Sequence, residues 1–199
     1  MNIKHHPDVS TLITCAAGSQ PEALCAVVTS HLSLCQVCMQ ELTRMEKIGV
    51  AVFEQLKQDM PSPNTHRAVI NAIDCGDTPK ADYQYDPIIP HPLRAILDIK
   101  LRDVPWEKQM PGVSSYALAM SPNATGDLKL IKLEAGVVMP AVNYTGEATL
   151  LVIEGGGIFQ NAPLIRGDYL EFCDGEIPLI EAARDFGCIL LFAQEGVVN

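Results

Sequence analysis

The chain has 199 residues, 48% of them apolar and 19% charged, with a net charge of −10. That length and apolar content exclude wholesale disorder and allow one large domain or two small ones. The acidity, without any Lys/Arg cluster, excludes a nucleic-acid surface, and no apolar run approaches the ~20 residues that span a bilayer.

The charge is uneven: −3 over residues 1–100 (8 Lys/Arg against 11 Asp/Glu) and −7 over residues 101–199 (6 against 13). Neither half reads as a membrane-surface binder. The first residues, "MNIKHHPDVS", lack the apolar segment of a secretory signal, so the expected compartment is cytoplasmic. Seven cysteines there would stay reduced, and a C-x-x-C pair points to metal or redox chemistry before a structural disulfide.

The first ~60 residues carry helical periodicity. A short helix is expected from Asp8 to Ala17, with Leu12, Cys15 and Ala16 inward. "SQPE" (Ser19 to Glu22) has the form of a capping box with Ser19 as cap, and beyond it Leu24, Val27, Val28 and His31 recur at three- and four-residue steps. A further helix carries Cys35, Cys38, Leu42, Met45, Val52 and Leu56 and stops before the prolines of "MPSPN". Residues 61–92 are rich in Pro, Asp and turn formers and read as a connector, interrupted by a short helix from Thr65 to Ile73; Leu93 to Ile99 is a further helical piece.

After about residue 103 the pattern changes to short strands. "SSYALAM", "DLKLIKL", "ATLLVIE", "DYLEF" and "GCILLFA" are rich in β-formers, and "SPNATG", "EAGVVMP", "EGGG", "APLIRG" and "CDGEIP" read as the turns between them. Many short strands without a long helix predict a closed barrel or double-sheet roll. The expected fold is therefore α+β: a helical part over residues 1–85, a connection with a short helix over 86–102, and an all-β barrel over 103–199.

The chemistry concentrates in "HLSLCQVC". His31 and Cys35 are four apart and Cys35 and Cys38 three apart, so on a helix the three side chains share one face. A tetrahedral zinc site needs four ligands, and thiolate with imidazole is the set zinc prefers. Upstream the histidines are His5 and His6; one as ligand and the other in support would complete His/His/Cys/Cys, although His5 by itself reads as solvated. Two buried thiols, or a dithiol switch without metal, are the alternatives at this point. Cys15, Cys25, Cys75, Cys173 and Cys188 read as small hydrophobes.

"HHP" at 5–7, "AAGS" at 16–19 and H-x-x-x-C-x-x-C at 31–38, followed by a connector and a β-rich half, resemble the ChrR-type zinc-binding anti-sigma factors along the whole chain. The resemblance implies one structural zinc held by His6, His31, Cys35 and Cys38. It also implies a helical domain that keeps an extracytoplasmic-function sigma factor from RNA polymerase through apolar helix faces, and a cupin-like C-terminal domain.

The β half departs from the metal-binding cupin pattern. Where P-x-H-x-H-x-G-x-E and a later histidine would stand, this chain has Val142, Tyr144 and Ala148, with Glu176 or Ile177 near the last position. No histidine follows His91, so no second metal is expected there. Glu147, Glu176 and Glu181 read as solvated rim carboxylates, and Asn143 and Tyr144 as strand or pocket residues. An enzyme would need a metal with open positions or a histidine–carboxylate pair, which the β half lacks, so no enzymatic activity is expected. The competing readings are a redox switch in which Cys35 and Cys38 oxidise and expel zinc, and a cupin-type metalloenzyme. Oligomeric state is left open.

Overall fold

The computed structural model describes residues 3–57, 60, 62–74, 86–97 and 99–198. Helices occupy the first part and antiparallel strands the second, the α+β order that the change of period predicts.

Helix α1 (Val9–Ala16) starts at Asp8, whose carboxylate accepts from the Thr11 N–H at 2.8 Å and satisfies one of the free amides of the first turn. It stops at Gly18, at φ +66°, where Gly18 N donates to Cys15 O and Ser19 N to Thr14 O. That tight exit undoes the expected capping box. Ser19 Oγ donates back to the Thr14 carbonyl, and Glu22 accepts from Ser121 N at 2.9 Å. Helix α2 (Glu22–Leu32) therefore begins after Pro21 without a side-chain cap.

Seven of the eleven residues of α2 are buried, Ala23, Leu24, Val27, Val28, Ser30, His31 and Leu32 among them. It is a core helix, touching α1, two later helices, α3 (Gln36–Phe53) and α5 (His91–Arg94), and the strands β3 (Asp127–Leu133), β5 (Val142–Phe159) and β9 (Cys188–Val198). Helix α3 (Gln36–Phe53) leaves it at 117°. Helix α4 (Pro63–Asp74) is as expected to within two residues, and its side chains from Pro63 to Ile73 are all exposed.

The stretch after residue 86 is not a loose connector. Helix α5 (His91–Arg94) is one turn, and a 3-10 turn follows at Leu101–Asp103. Ile89, Leu93, Leu97, Leu101 and Val104 are buried in the same core as α2. Proline and aspartate density concealed this, because the apolar residues are spaced for a compact irregular path rather than for either regular period. Residues 75–85, with Cys75, lie outside the described residues.

The strands are β1 (Glu107–Met110), β2 (Val113–Ala117), β3 (Asp127–Leu133), β4 (Val138–Met139), β5 (Val142–Phe159), β6 (Ala162–Ile165), β7 (Tyr169–Ile177), β8 (Ile180–Ala182) and β9 (Cys188–Val198). Their order is β1-β2-β3-β9-β5-β8-β4, with β6 and β7 also paired to β5, all antiparallel. Strand β5 belongs to two sheets: it pairs with β9 and β7 along its length and with β6 and β8 at its end, which curls the structure into a roll.

"EGGG", expected as a turn, is the point at which β5 passes between the sheets. A Cβ on Gly155 would stand 2.3 Å from Gly187 O, one on Gly156 2.5 Å from Leu164 O, and one on Gly157 2.4 Å from Glu181 O. Crossing backbones leave no room for side chains there, and only glycine fits.

Both faces of the central strands are buried. Leu150, Val152, Leu190 and Phe192 point into the roll, while Leu151, Ile153, Leu191 and Ala193 point outward into the core shared with α2. This explains why "TLLVI" and "ILLFA" are continuous apolar runs rather than alternating ones.

Candidate metal centre

The helical signature carries three ligands of two types, but the structure assembles them at a corner. His31 lies in the last turn of α2, Cys35 is the extended residue before α3 (φ −115°, ψ 105°), and Cys38 is in the first turn of α3. The expectation of one continuous helix face is corrected here: the chain bends so that the three converge. Ser33 and Leu34 make the bend, with Cys35 N and Leu34 N both donating to the His31 carbonyl.

His6, on the extended segment before α1, closes the group. Its Nδ1 is 3.5 Å from Cys35 Sγ and 3.3 Å from Cys38 Sγ. One ligand atom from each of His6, His31, Cys35 and Cys38 lies within 4.8 Å of every other. A tetrahedral ion with bonds of about 2.0 Å to nitrogen and 2.3 Å to sulfur sets N···S edges of roughly 3.5 Å, so the histidine–thiol spacing suits such an ion.

A second observation is independent of spacing. His31 Nδ1 is 2.8 Å from Gly167 O, so this nitrogen carries the proton and donates to the carbonyl. Nε2 is then a bare lone pair, buried and without a hydrogen-bond partner. An orphaned buried acceptor is costly unless something occupies it, and a cation does. The donor set and this orphan together fit a metal ion.

Electrostatics agree. Burial, reinforced by the neighbouring His6, pulls His31 down to about 4 against the opposing pull of Gly167 O and Asp168, so at neutral pH it is in the ligating neutral form. Burial first, then Cys35 beside it, pushes the Cys38 thiol up to about 12. The Cys38 thiol therefore resists ionisation on its own, and a divalent cation beside it reverses that preference.

The other cysteines divide. Cys188 is buried in the roll as expected. Cys173, expected to pack, is exposed on β7 with Glu147, Glu171 and Asp174 near it. Cys15 and Cys25 are half-buried and hydrogen-bond each other; acceptance from Cys15 draws Cys25 down to about 7, while burial and Glu22 oppose it. His5 is not solvated either: its Nδ1 is 3.5 Å from the buried Asp168 carboxylate. In the β half Ala148 is fully buried, Glu147 is exposed and Glu181 half-buried; the side chains of Val142, Asn143, Tyr144 and Glu176 lie outside the described residues.

Sequence reasoning did not find Gly167, Asp168 and Tyr169, which surround the ligands from the turn between β6 and β7. The Tyr169 ring lies 5.7 Å from the His31 ring. These residues are separated from His31 by more than 130 positions, and no local signal links them.

Along α1 and the later turns of α3, the described residues leave apolar surface exposed. A groove of about 630 Å³ runs between Ile13, Ala16 and Ala17 of α1 and Met45, Ile48 and Phe53 of α3. Phe53 is 74% exposed and Ile48 68%, and Val69, Ile70 and Ile73 of α4 are exposed as well. Isolated exposed apolar residues are ordinary, but contiguous ones on packed helices, as on α1 and α3, mark a binding surface.

The whole architecture has a counterpart among solved structures. The crystal structure of Rhodobacter sphaeroides SigE in complex with the anti-sigma ChrR matches with a TM-score of 0.82 and 26% identity, covering 98% of this chain and 100% of that one. The chain resembles ChrR from end to end. The anti-sigma-E factor ChrR of Cereibacter sphaeroides is 28% identical over 197 residues, which is 98% of this chain and 91% of that protein. A cupin-like protein of unknown function from Ralstonia eutropha aligns with 44% of this ChrR-like chain and 62% of its own, at 20% identity and a TM-score of 0.39. No protein-family model matches. Among the described residues no single helix is long and apolar enough to cross a membrane.

Proposed function

We propose that this protein is a zinc-dependent anti-sigma factor that sequesters an extracytoplasmic-function sigma factor in the cytoplasm. Residues 1–85 are the holding domain, residues 86–102 the connection, and the β roll of residues 103–199 modulates release. His6, His31, Cys35 and Cys38 hold one structural zinc, which supplies no reaction; with all four positions taken by protein the site is closed. The ion fixes the corner between α2 and α3 and brings the N-terminal arm against it. Its role is to keep α1 and α3 in the arrangement that forms the apolar groove.

The observation that carries the reading is this conjunction: a four-ligand cluster at the start of α3 and an exposed apolar groove along the later turns of the same helix, in a chain that is ChrR-like over 98% of its length. A regulatory role follows from it rather than catalysis, because the site has no open coordination position.

The test is co-purification. The tagged full-length chain is expressed with an extracytoplasmic-function sigma factor from the same genome, and the eluate is assayed for zinc and for the partner. One zinc per chain and an equimolar sigma factor are expected, with the partner lost on chelation. A metal-free, folded chain that still retains the sigma factor would remove the zinc dependence.

A further inference from the structure

Residues 3–11 are held as a strap along the start of β7. The Asp168 carboxylate is fully buried, and its Oδ1 accepts from Lys4 N at 2.8 Å and His5 N at 3.0 Å, while Oδ2 accepts from Ile165 N at 2.8 Å. Tyr169 N donates to the His5 carbonyl at 3.1 Å, so the arm pairs with the strand through its own backbone. One turn further along, Glu171 Oε1 accepts from Asp8 N and Oε2 from Thr11 Oγ1, both at 2.9 Å. Gly167 is packed under the arm: at φ +92°, a Cβ there would stand 2.7 Å from Ile3 Cδ1.

These contacts bracket two parts that the proposed function needs. His6 lies between the residues held by Asp168 and the residue held by Glu171, and α1, one wall of the groove, starts directly after Asp8. On the other side of the same turn, Gly167 O fixes the His31 ring. A buried carboxylate that accepts from two backbone amides 163 and 164 positions away in sequence does more than close a β-turn.

We infer that the start of β7, with Asp168 and Glu171 as positioning residues, is the element through which the β roll controls the metal centre: displacing it withdraws His6 from the ligand set and α1 from the groove. This rests on the reading of the cluster as a zinc site. Asp168 and Glu171 contribute no ligand atom; they act through the arm. A change of strand position in the roll is thereby transmitted to the partner-holding surface without any metal in the roll itself.

The experiment uses the zinc-loaded full-length chain and two variants, Asp168→Asn and Glu171→Gln. Zinc transfer to a chromophoric chelator gives the release rate, and hydrogen exchange with mass spectrometry gives the protection of residues 3–8 and of the sheet. Outer-shell changes at metal sites typically weaken binding by about 10–100-fold, so Asp168→Asn should speed release roughly tenfold or more, with faster exchange in residues 3–8 and an unchanged sheet. Glu171→Gln should shift both readouts in the same direction by less, because its new amide NH2 can donate to Thr11 Oγ1, whereas that of Asp168→Asn would face the Ile165 N–H. Faster arm exchange with unchanged zinc release overturns the inference, as does a lack of change in both. If Asp168→Asn loses sheet protection, Glu171→Gln decides on the same criteria. A wild-type chain that takes up no zinc overturns the metal reading itself, whereas a loaded wild type with unresponsive variants overturns only the strap.

Discussion

At the scale of single residues the sharpest feature is a nitrogen with nothing to bond. His31 Nε2 is buried and unpartnered because Nδ1 is committed to Gly167 O. Cys38, buried beside Cys35 and His6, belongs to the same cluster. Cys38→Ser should therefore reduce zinc from one per chain to none detectable by elemental analysis, an affinity loss beyond the ~100-fold that outer-shell changes reach. A second residue-scale expectation concerns Cys25. Its thiol is drawn down to about 7 because the thiolate accepts from Cys15, while an ordinary cysteine titrates near 8.5. Since thiolate is the reactive form, alkylation of Cys25 by iodoacetamide should rise through pH 7, with Cys173 reaching the same rate only at higher pH. Peptide mapping of the alkylated protein reads both rates. In a Cys15→Ser variant the Cys25 midpoint should move upward.

At the scale of elements, α2 is the piece on which both halves pack. Leu24 is fully buried between the helices and the outer face of the β sheet, so Leu24→Ala removes apolar contact and leaves a cavity, at a cost of about 2–5 kcal/mol. Because the same helix carries His31, denaturant unfolding monitored by circular dichroism should show that loss with and without zinc. Strand β5 shows the same economy of position: its three successive glycines stand where it crosses between sheets. Gly156→Ala should lower stability more than an ordinary strand substitution, because its Cβ meets the Leu164 backbone oxygen rather than a side chain that can yield. The midpoint of urea unfolding measures that loss.

At the scale of the whole molecule, stability and partner binding are separable. The core beneath α2 and the sheet is closed, while the groove on α1 and α3 faces outward. Phe53→Asp alters a side chain that is 74% exposed at the last residue of α3, fifteen positions beyond Cys38. It should change unfolding free energy by no more than ~0.5 kcal/mol, as surface substitutions do, and leave zinc content intact. Affinity for the sigma factor, read by titration calorimetry, should fall at least tenfold, which is about 1.4 kcal/mol. A Phe53→Asp chain that binds as tightly as the wild type would move the holding surface elsewhere.

The sequence alone determined what depends on neighbours along the chain. The period of Leu24, Val27 and Val28 marked α2, the β-rich run from Asp127 to Leu133 matched β3 residue for residue, and the spacing of His31, Cys35 and Cys38 marked a His/Cys cluster that could hold a metal ion. Spacing works because 3.6-residue and two-residue repeats follow from covalent geometry. It misjudged Ser19 as a cap because the Gly18 exit turns Ser19 back onto Thr14 while Glu22 is taken by the distant Ser121, and it misjudged "EGGG" as a turn because backbones of distant segments cross there. Only the tertiary structure decided that His6 meets the two thiols, that His5 faces Asp168, and that Gly167 orients His31. Those contacts join residues more than a hundred positions apart, or across a bend that no local propensity specifies; their energy comes from burial and hydrogen bonding that exist only once the sheet has closed beneath α2.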